Sequence, residues 1–197
     1  MAVLSRVLLA AAAAVIGVSA KTVTLNFDDI SVSNDEECGL KSLNQKTPYN
    51  GFLITGSNVG VLNSTRTKEC PQKEETRAYP NWSTSGSNVV YNSDGSLKFK
   101  VQGTQKITKS AFDISVIFYD DWLLLNSTIQ IQTTLSTGDQ EFYVFQTLED
   151  GVGPFHIDVT GPPATWVQIE SIAIMPIGEG PTINTDLIVD TAVIELA

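Results

Sequence analysis

Ile129-Gln130-Ile131-Gln132 leads through Ser136-Thr137-Gly138-Asp139 into Glu141-Phe142-Tyr143-Val144-Phe145. In the first of these segments apolar and polar residues alternate with a period of two, so one face is apolar and the other wet. A helix would need its apolar residues three and four apart. The Ser-Thr-Gly-Asp cluster between the segments is turn chemistry. Two such segments joined by a short turn read as an antiparallel hairpin, and this reading sets the fold class.

Moving outward, the same pattern recurs. Val23, Leu25 and Phe27 alternate with Thr24 and Asn26. Phe52 to Thr55 and Val59 to Leu62 form a second strand region. Asn88 to Tyr91 and Leu97 to Val101 flank Asn92-Ser93-Asp94-Gly95-Ser96, whose Asp-Gly predicts a hairpin. Phe112, Ile114, Val116 and Phe118 alternate with Asp113, Ser115 and Ile117. Phe155 to Val159, Trp166 to Ile174 and Asp186 to Leu196 complete the set. The doubly apolar run Ile172-Ala173-Ile174-Met175 predicts a central strand, with Met175 in the core. Gly161-Pro162-Pro163 and Gly178 to Pro181 are too short to separate domains. Nine or ten strands and no helical periodicity after the first twenty residues predict an all-β protein, a two-sheet antiparallel sandwich.

Residues 1–20 read as a signal peptide. Arg6 supplies a positive charge, Val7 to Val18 is apolar, and Val18-Ser19-Ala20 offers small residues before Lys21. The apolar run is roughly a dozen residues, short of the about twenty that span a bilayer. Residues 21–197 then form a single domain, expected to be secreted, in the extracellular space or the cell wall. Twelve Lys plus Arg stand against twenty-two Asp plus Glu. Such a surface repels phosphate backbones, which argues against nucleic acid and anionic membranes as partners. Cys38 and Cys70, the two cysteines, read as one disulfide in an oxidising compartment. It would close a loop of about thirty residues, worth roughly 3 to 4 kcal/mol in the chain-entropy view. Three sequons, at Asn63, Asn81 and Asn126, are glycosylation candidates.

Three pieces of this pattern carry a resemblance. They are the opening strand with its acidic pair, Leu25 to Asp29, the succession Phe112 to Val159, and the closing strand Leu187 to Val193. In these the chain resembles the broad superfamily of secreted jelly-roll domains that includes galactose-binding-like domains and many carbohydrate-binding modules. The resemblance implies a jelly-roll sandwich whose first and last strands are neighbours. It also implies a structural calcium held by Asp28, Asp29 and Asp190, since calcium takes six to eight oxygens. The closing strand departs from the family's Asp-Asn or Asp-Asp, because Thr191 follows Asp190.

Candidate chemistry divides in two. Sugar binding uses exposed aromatics with amides and carboxylates beside them, and two groups fit: Tyr79, Trp82 and Tyr91 among asparagines, and Tyr119, Asp120, Asp121 and Trp122. Catalysis has weaker support. His156, the one histidine, alternates with Phe155 and Ile157, and Asp158 shares its face. A lyase or glycosidase would use such a pair, although adjacent carboxylates such as Glu36-Glu37, Asp120-Asp121 and Glu149-Asp150 point to opposite sides of a strand. The leading expectation is a non-catalytic glycan-binding or matrix-associated protein whose partners are polysaccharides or glycoprotein glycans. A polysaccharide-active enzyme and a secreted interaction or effector protein without a sugar site stay open as alternatives.

Overall fold

The computed structural model describes residues 20–33, 39–63, 85–93, 96–118, 128–146, 154–160, 169–177 and 185–197. Within them lie twelve strands: β1 (Lys21–Leu25), β2 (Leu40–Ser42), β3 (Phe52–Thr55), β4 (Val59–Asn63), β5 (Asn88–Ser93), β6 (Leu97–Val101), β7 (Ile107–Phe118), β8 (Thr128–Leu135), β9 (Gln140–Gln146), β10 (Phe155–Thr160), β11 (Ile169–Ile177) and β12 (Thr185–Leu196). All pairings are antiparallel. The protein is an all-β antiparallel sandwich.

One layer runs β2-β4-β5-β12-β7-β10, and the other runs β3-β6-β11-β8-β9. The two remain joined at one edge, where Ile169 of β11 pairs with Ile107 of β7. Their apolar faces meet in one continuous core. Phe112, Ile114 and Val189 from the first layer share it with Phe99, Ile131 and Ile172 from the second, all fully buried. The Phe99 and Phe112 rings lie 5.5 Å apart, centroid to centroid. Alternation builds this arrangement: β8 buries every second residue along its whole length.

β12 is the strand around which the first layer is organised. It pairs with β7 along one side throughout. On its other side Asp186 to Val189 pair with β5, and Ala192 to Leu196 pair with β1. The register against β7 shifts between Val189 and Ala192, which marks a bulge at Asp190-Thr191. The expectation that the first and last strands are neighbours therefore holds.

Several expectations are corrected. The Asp94-Gly95 connection does not make a hairpin: β5 pairs with β4 and β12, whereas β6 pairs with β3 and β11, so the chain crosses between layers there. Phe52 to Thr55 and Val59 to Leu62 are both strands, as expected, and they lie in different layers, separated at Gly56-Ser57-Asn58. Turn chemistry reports a reversal but not which strands will pair across it. Met175 is half-buried on the outer face of β11 and not in the core, because alternation along β11 sends Ile172 and Ile174 inward and Met175 outward. β2 was not expected at all.

A second, smaller apolar cluster covers part of the first layer's outer face. It holds Leu62, Val89, Tyr91 and Ile188, with Leu40 packed against them. Gly60 makes room for the Tyr91 ring, since a Cβ there would stand 2.4 Å from Tyr91 Cε1. Tyr91 is thus a packing residue at 7% exposure and offers no open ring face to a sugar.

Candidate functional site

The outer face of β3-β6-β11-β8-β9 is laid out in rows by the pairing register. One row runs Leu53, Lys100, Ser171, Thr134, Gln140. The next runs Thr55, Lys98, Ala173, Gln132, Phe142. Met175 and Gln130 begin a third. At about 4.8 Å between strands, a five-strand row is about 19 Å across. Ser171 and Ala173 are buried although they point outward. Their short side chains form a floor between the longer Lys98 and Lys100 on one flank and Gln130, Gln132 and Thr134 on the other. At the far edge stands Phe142, 53% exposed, the large apolar side chain left in solvent among the described residues.

This composition departs from an ordinary solvated sheet face. An aromatic ring, several neutral amides and hydroxyls, and two ammonium groups surround a shallow trough. Phe142 presents a flat apolar surface on which the C–H face of a pyranose can stack. Glutamine amides both donate and accept, which matches sugar hydroxyls. Acidic groups near this face are engaged. Lys106 donates a hydrogen bond to Glu170, and this bond holds the Glu170 carboxyl below its usual range, with Lys106 charge and then Lys100 adding to the effect. Glu141 accepts from the Tyr143 hydroxyl at 3.0 Å, and burial, followed by that bond, pushes the phenol up.

The acidic residues expected to hold calcium are brought together in a different manner. The turn after β1 carries Phe27 in a left-handed conformation (φ 62), closed by a bond from Ile30 N to Phe27 O of 3.0 Å. Phe27 is buried and stacks on Tyr49 at 5.2 Å. The Tyr49 hydroxyl donates to Asp29 Oδ1 at 2.6 Å, and burial, with Asp29 adding, raises its pKa. Asp28 Oδ1 accepts from the backbone N–H groups of Ser87 (3.0 Å) and Asn88 (3.1 Å). Asp190, fully buried, accepts from Ser85 N at 2.8 Å and Ser85 Oγ at 2.9 Å. The Asn88 amide donates to Ile30 O at 2.8 Å and Phe27 O at 3.2 Å.

The segment before β5 is therefore clamped from both sides, by Asp28 from the turn after β1 and by Asp190 from the bulge of β12. Gly86 is required at its centre, because a Cβ there would lie 2.2 Å from Asp28 Oδ2. N–H and O–H donors point at these carboxylates where a cation would need lone pairs. Among the described residues, no group of three or more His, Cys, Asp or Glu side chains comes together as a metal site. As arranged, Asp28, Asp29 and Asp190 each accept hydrogen bonds from N–H or O–H groups.

His156 and Asp158 share the outer face of β10, as expected. The register adds a partner that sequence reading missed: His156 pairs directly with Asp113 of β7. His156 Nδ1 lies 2.7 Å from Asp113 Oδ1, and Nε2 lies 3.9 Å from Asp158 Oδ1. The imidazole is 60% exposed and stands on an open surface. A carboxylate on Nδ1 orients a histidine as a general base.

Tyr79, Trp82, Tyr119, Asp120, Asp121 and Trp122 lie outside the described residues, as do Cys38, Cys70, Asn81, Asn126 and the first nineteen residues. Asn63 ends β4 half-buried, and its Nδ2, the atom a glycan would modify, donates to Asn88 Oδ1 at 2.9 Å. Among the described residues no helix is long and apolar enough to cross a membrane.

No family model matches the chain, and no curated protein matches it in sequence. Solved structures do. A mutant family 29 carbohydrate-binding module complexed with mannohexaose aligns over 79% of this chain and 90% of its own, at 9% identity and a TM-score of 0.36. A family 28 module specific for non-crystalline cellulose aligns over 77% and 83%, at 8% identity and 0.36. The K2 cleaved adhesin domain of Lys-gingipain covers 88% and 99%, at 15% identity and 0.39.

Proposed function

We propose that the protein is a secreted, non-catalytic glycan-binding domain that holds polysaccharide or glycoprotein chains on the outer face of β3-β6-β11-β8-β9. One observation carries this reading: exposed Phe142 lies directly across from Gln132, in a row whose floor is Ala173. Stacking surface, hydrogen-bonding amide and trough are placed together on one rigid sheet. Secretion rests on the signal-like residues 1–20, and β1 begins at Lys21, the first residue after them. In that setting Cys38 and Cys70 form the disulfide, and Asn81 and Asn126 are the sequons proposed to carry glycans. Intact mass before and after reduction tests the bridge.

The test of binding is a polysaccharide pull-down with Phe142→Ala. Losing one stacking aromatic is expected to cost about ten- to a hundredfold in affinity, by analogy with base stacking and interface hot spots. Thermal stability should be unchanged, because the ring is already in solvent. Undiminished binding in Phe142→Ala together with its loss in Trp82→Ala would move the site to the aromatic group around Tyr79 and Trp82. A second reading, a polysaccharide-active enzyme, is favoured by the 2.7 Å contact between His156 and Asp113. It requires turnover that His156→Ala abolishes.

A further inference from the structure

We infer that the glycan this face takes is acidic, a polyuronate whose carboxylates are met by Lys98 and Lys100; the inference rests on the glycan-binding reading above. The chain as a whole carries a net charge of −10. Against that background, two lysines stand on the same side of β6, separated by one residue. Their Cα atoms are about 6.8 Å apart along the strand. Among the described residues neither forms an ion pair. The neighbouring acid, Glu170, already accepts a hydrogen bond from Lys106.

The lysines' cross-strand neighbours on β11 are Ser171 and Ala173, and on β3 they are Leu53 and Thr55. None of these carries a charge. Two like charges this close repel each other, and an anion in the trough relieves the repulsion while gaining two charge-assisted hydrogen bonds. The partner must also be long. Phe142 lies in the row of Lys98 but three strands away, about 14 Å at ordinary strand spacing. A free phosphate or a single sugar cannot engage both, whereas an extended chain can. A carboxylate on each sugar lets Lys98 and Lys100 be satisfied without fixing the register of the chain.

The experiment uses residues 21–197 and measures affinity for polygalacturonate, for the same polymer fully methyl-esterified, and for neutral glucomannan. Polygalacturonate should bind about tenfold or more tightly than its ester, and raised salt should remove that advantage. The double variant Lys98→Gln/Lys100→Gln should bind the acid polymer no better than the ester. Lys98→Arg/Lys100→Arg should restore the difference, and Lys109→Gln, on the other layer, should leave it intact. Equal affinity for acid and ester, or an unaltered preference in the double glutamine variant, overturns the inference while leaving glycan binding standing. No binding to any of the three polymers overturns both.

Discussion

Replacing Asp190 by alanine tests the clamp at its most buried point. The carboxylate is fully buried and takes two hydrogen bonds from Ser85, at 2.8 and 2.9 Å. A hydrogen bond to a charged group is worth about 1.5 to 3 kcal/mol. Two offsets apply: exposed Ser85 can turn its donors to water, and removing a buried charge relieves its desolvation. The net loss should be about 2 to 4 kcal/mol. For a domain of this size each kcal/mol is roughly 2 to 4 °C in Tm, so the midpoint should fall by about 5 to 15 °C. Urea unfolding should show the same loss with an unchanged slope, which assigns it to the folded state. Asp190→Asn keeps the shape and one acceptor and should lose about half as much. Ser85→Ala removes only the hydroxyl donor and should lose about 1 kcal/mol. If Asp190→Ala unfolds within about 0.5 kcal/mol of the unaltered protein, desolvation has cancelled the bonds and the clamp reasoning is wrong.

Three further outcomes follow from the same geometry. Chelator and millimolar calcium should leave the Tm unchanged, since N–H and O–H donors occupy the carboxylates; a rise of several degrees with calcium would show that a cation displaces them. His156→Ala should keep stability within about 0.5 kcal/mol and leave glycan retention intact, because the ring is exposed and on the other layer; lost retention would place the site there. Lys106→Gln should lower Tm near neutral pH. The Glu170 carboxyl is depressed in the folded state, so its contribution is present above its ordinary value of 4.5 and is lost as pH falls through the folded value. The difference between the two proteins should close in acid, and a gap that persists in strong acid would refute the attribution.

The layers were legible because burial on one side writes itself into alternation, as in Thr128–Leu135 and Leu97–Val101. The neighbour relation of the first and last strands came from the resemblance to jelly-roll domains, and no local residue signals it. What could not be read was which strands share a sheet. Leu97-Lys98-Phe99-Lys100-Val101 shows a lysine face, and Ile129 to Leu135 shows a glutamine and threonine face. Nothing local says that β11 lies between them with Ser171 and Ala173 as the floor. The same gap hid Asp113 from His156, forty-three positions away in sequence. The burial of Tyr91 is hidden in the same way, because Ile188, its partner on a distant strand, packs against it.

The divided pairing of β12 bears on how the chain reaches its native state. The strand at the centre of the first layer comes after β1, β5 and β7 in the sequence, and it supplies partners for all three at once. Until residues 185–196 are available, β1 and β5 have no inner neighbour, and their backbone groups stay open to other chains. Such high contact order implies slow, late closure, and translation cannot deliver a half-finished domain that is already safe from aggregation.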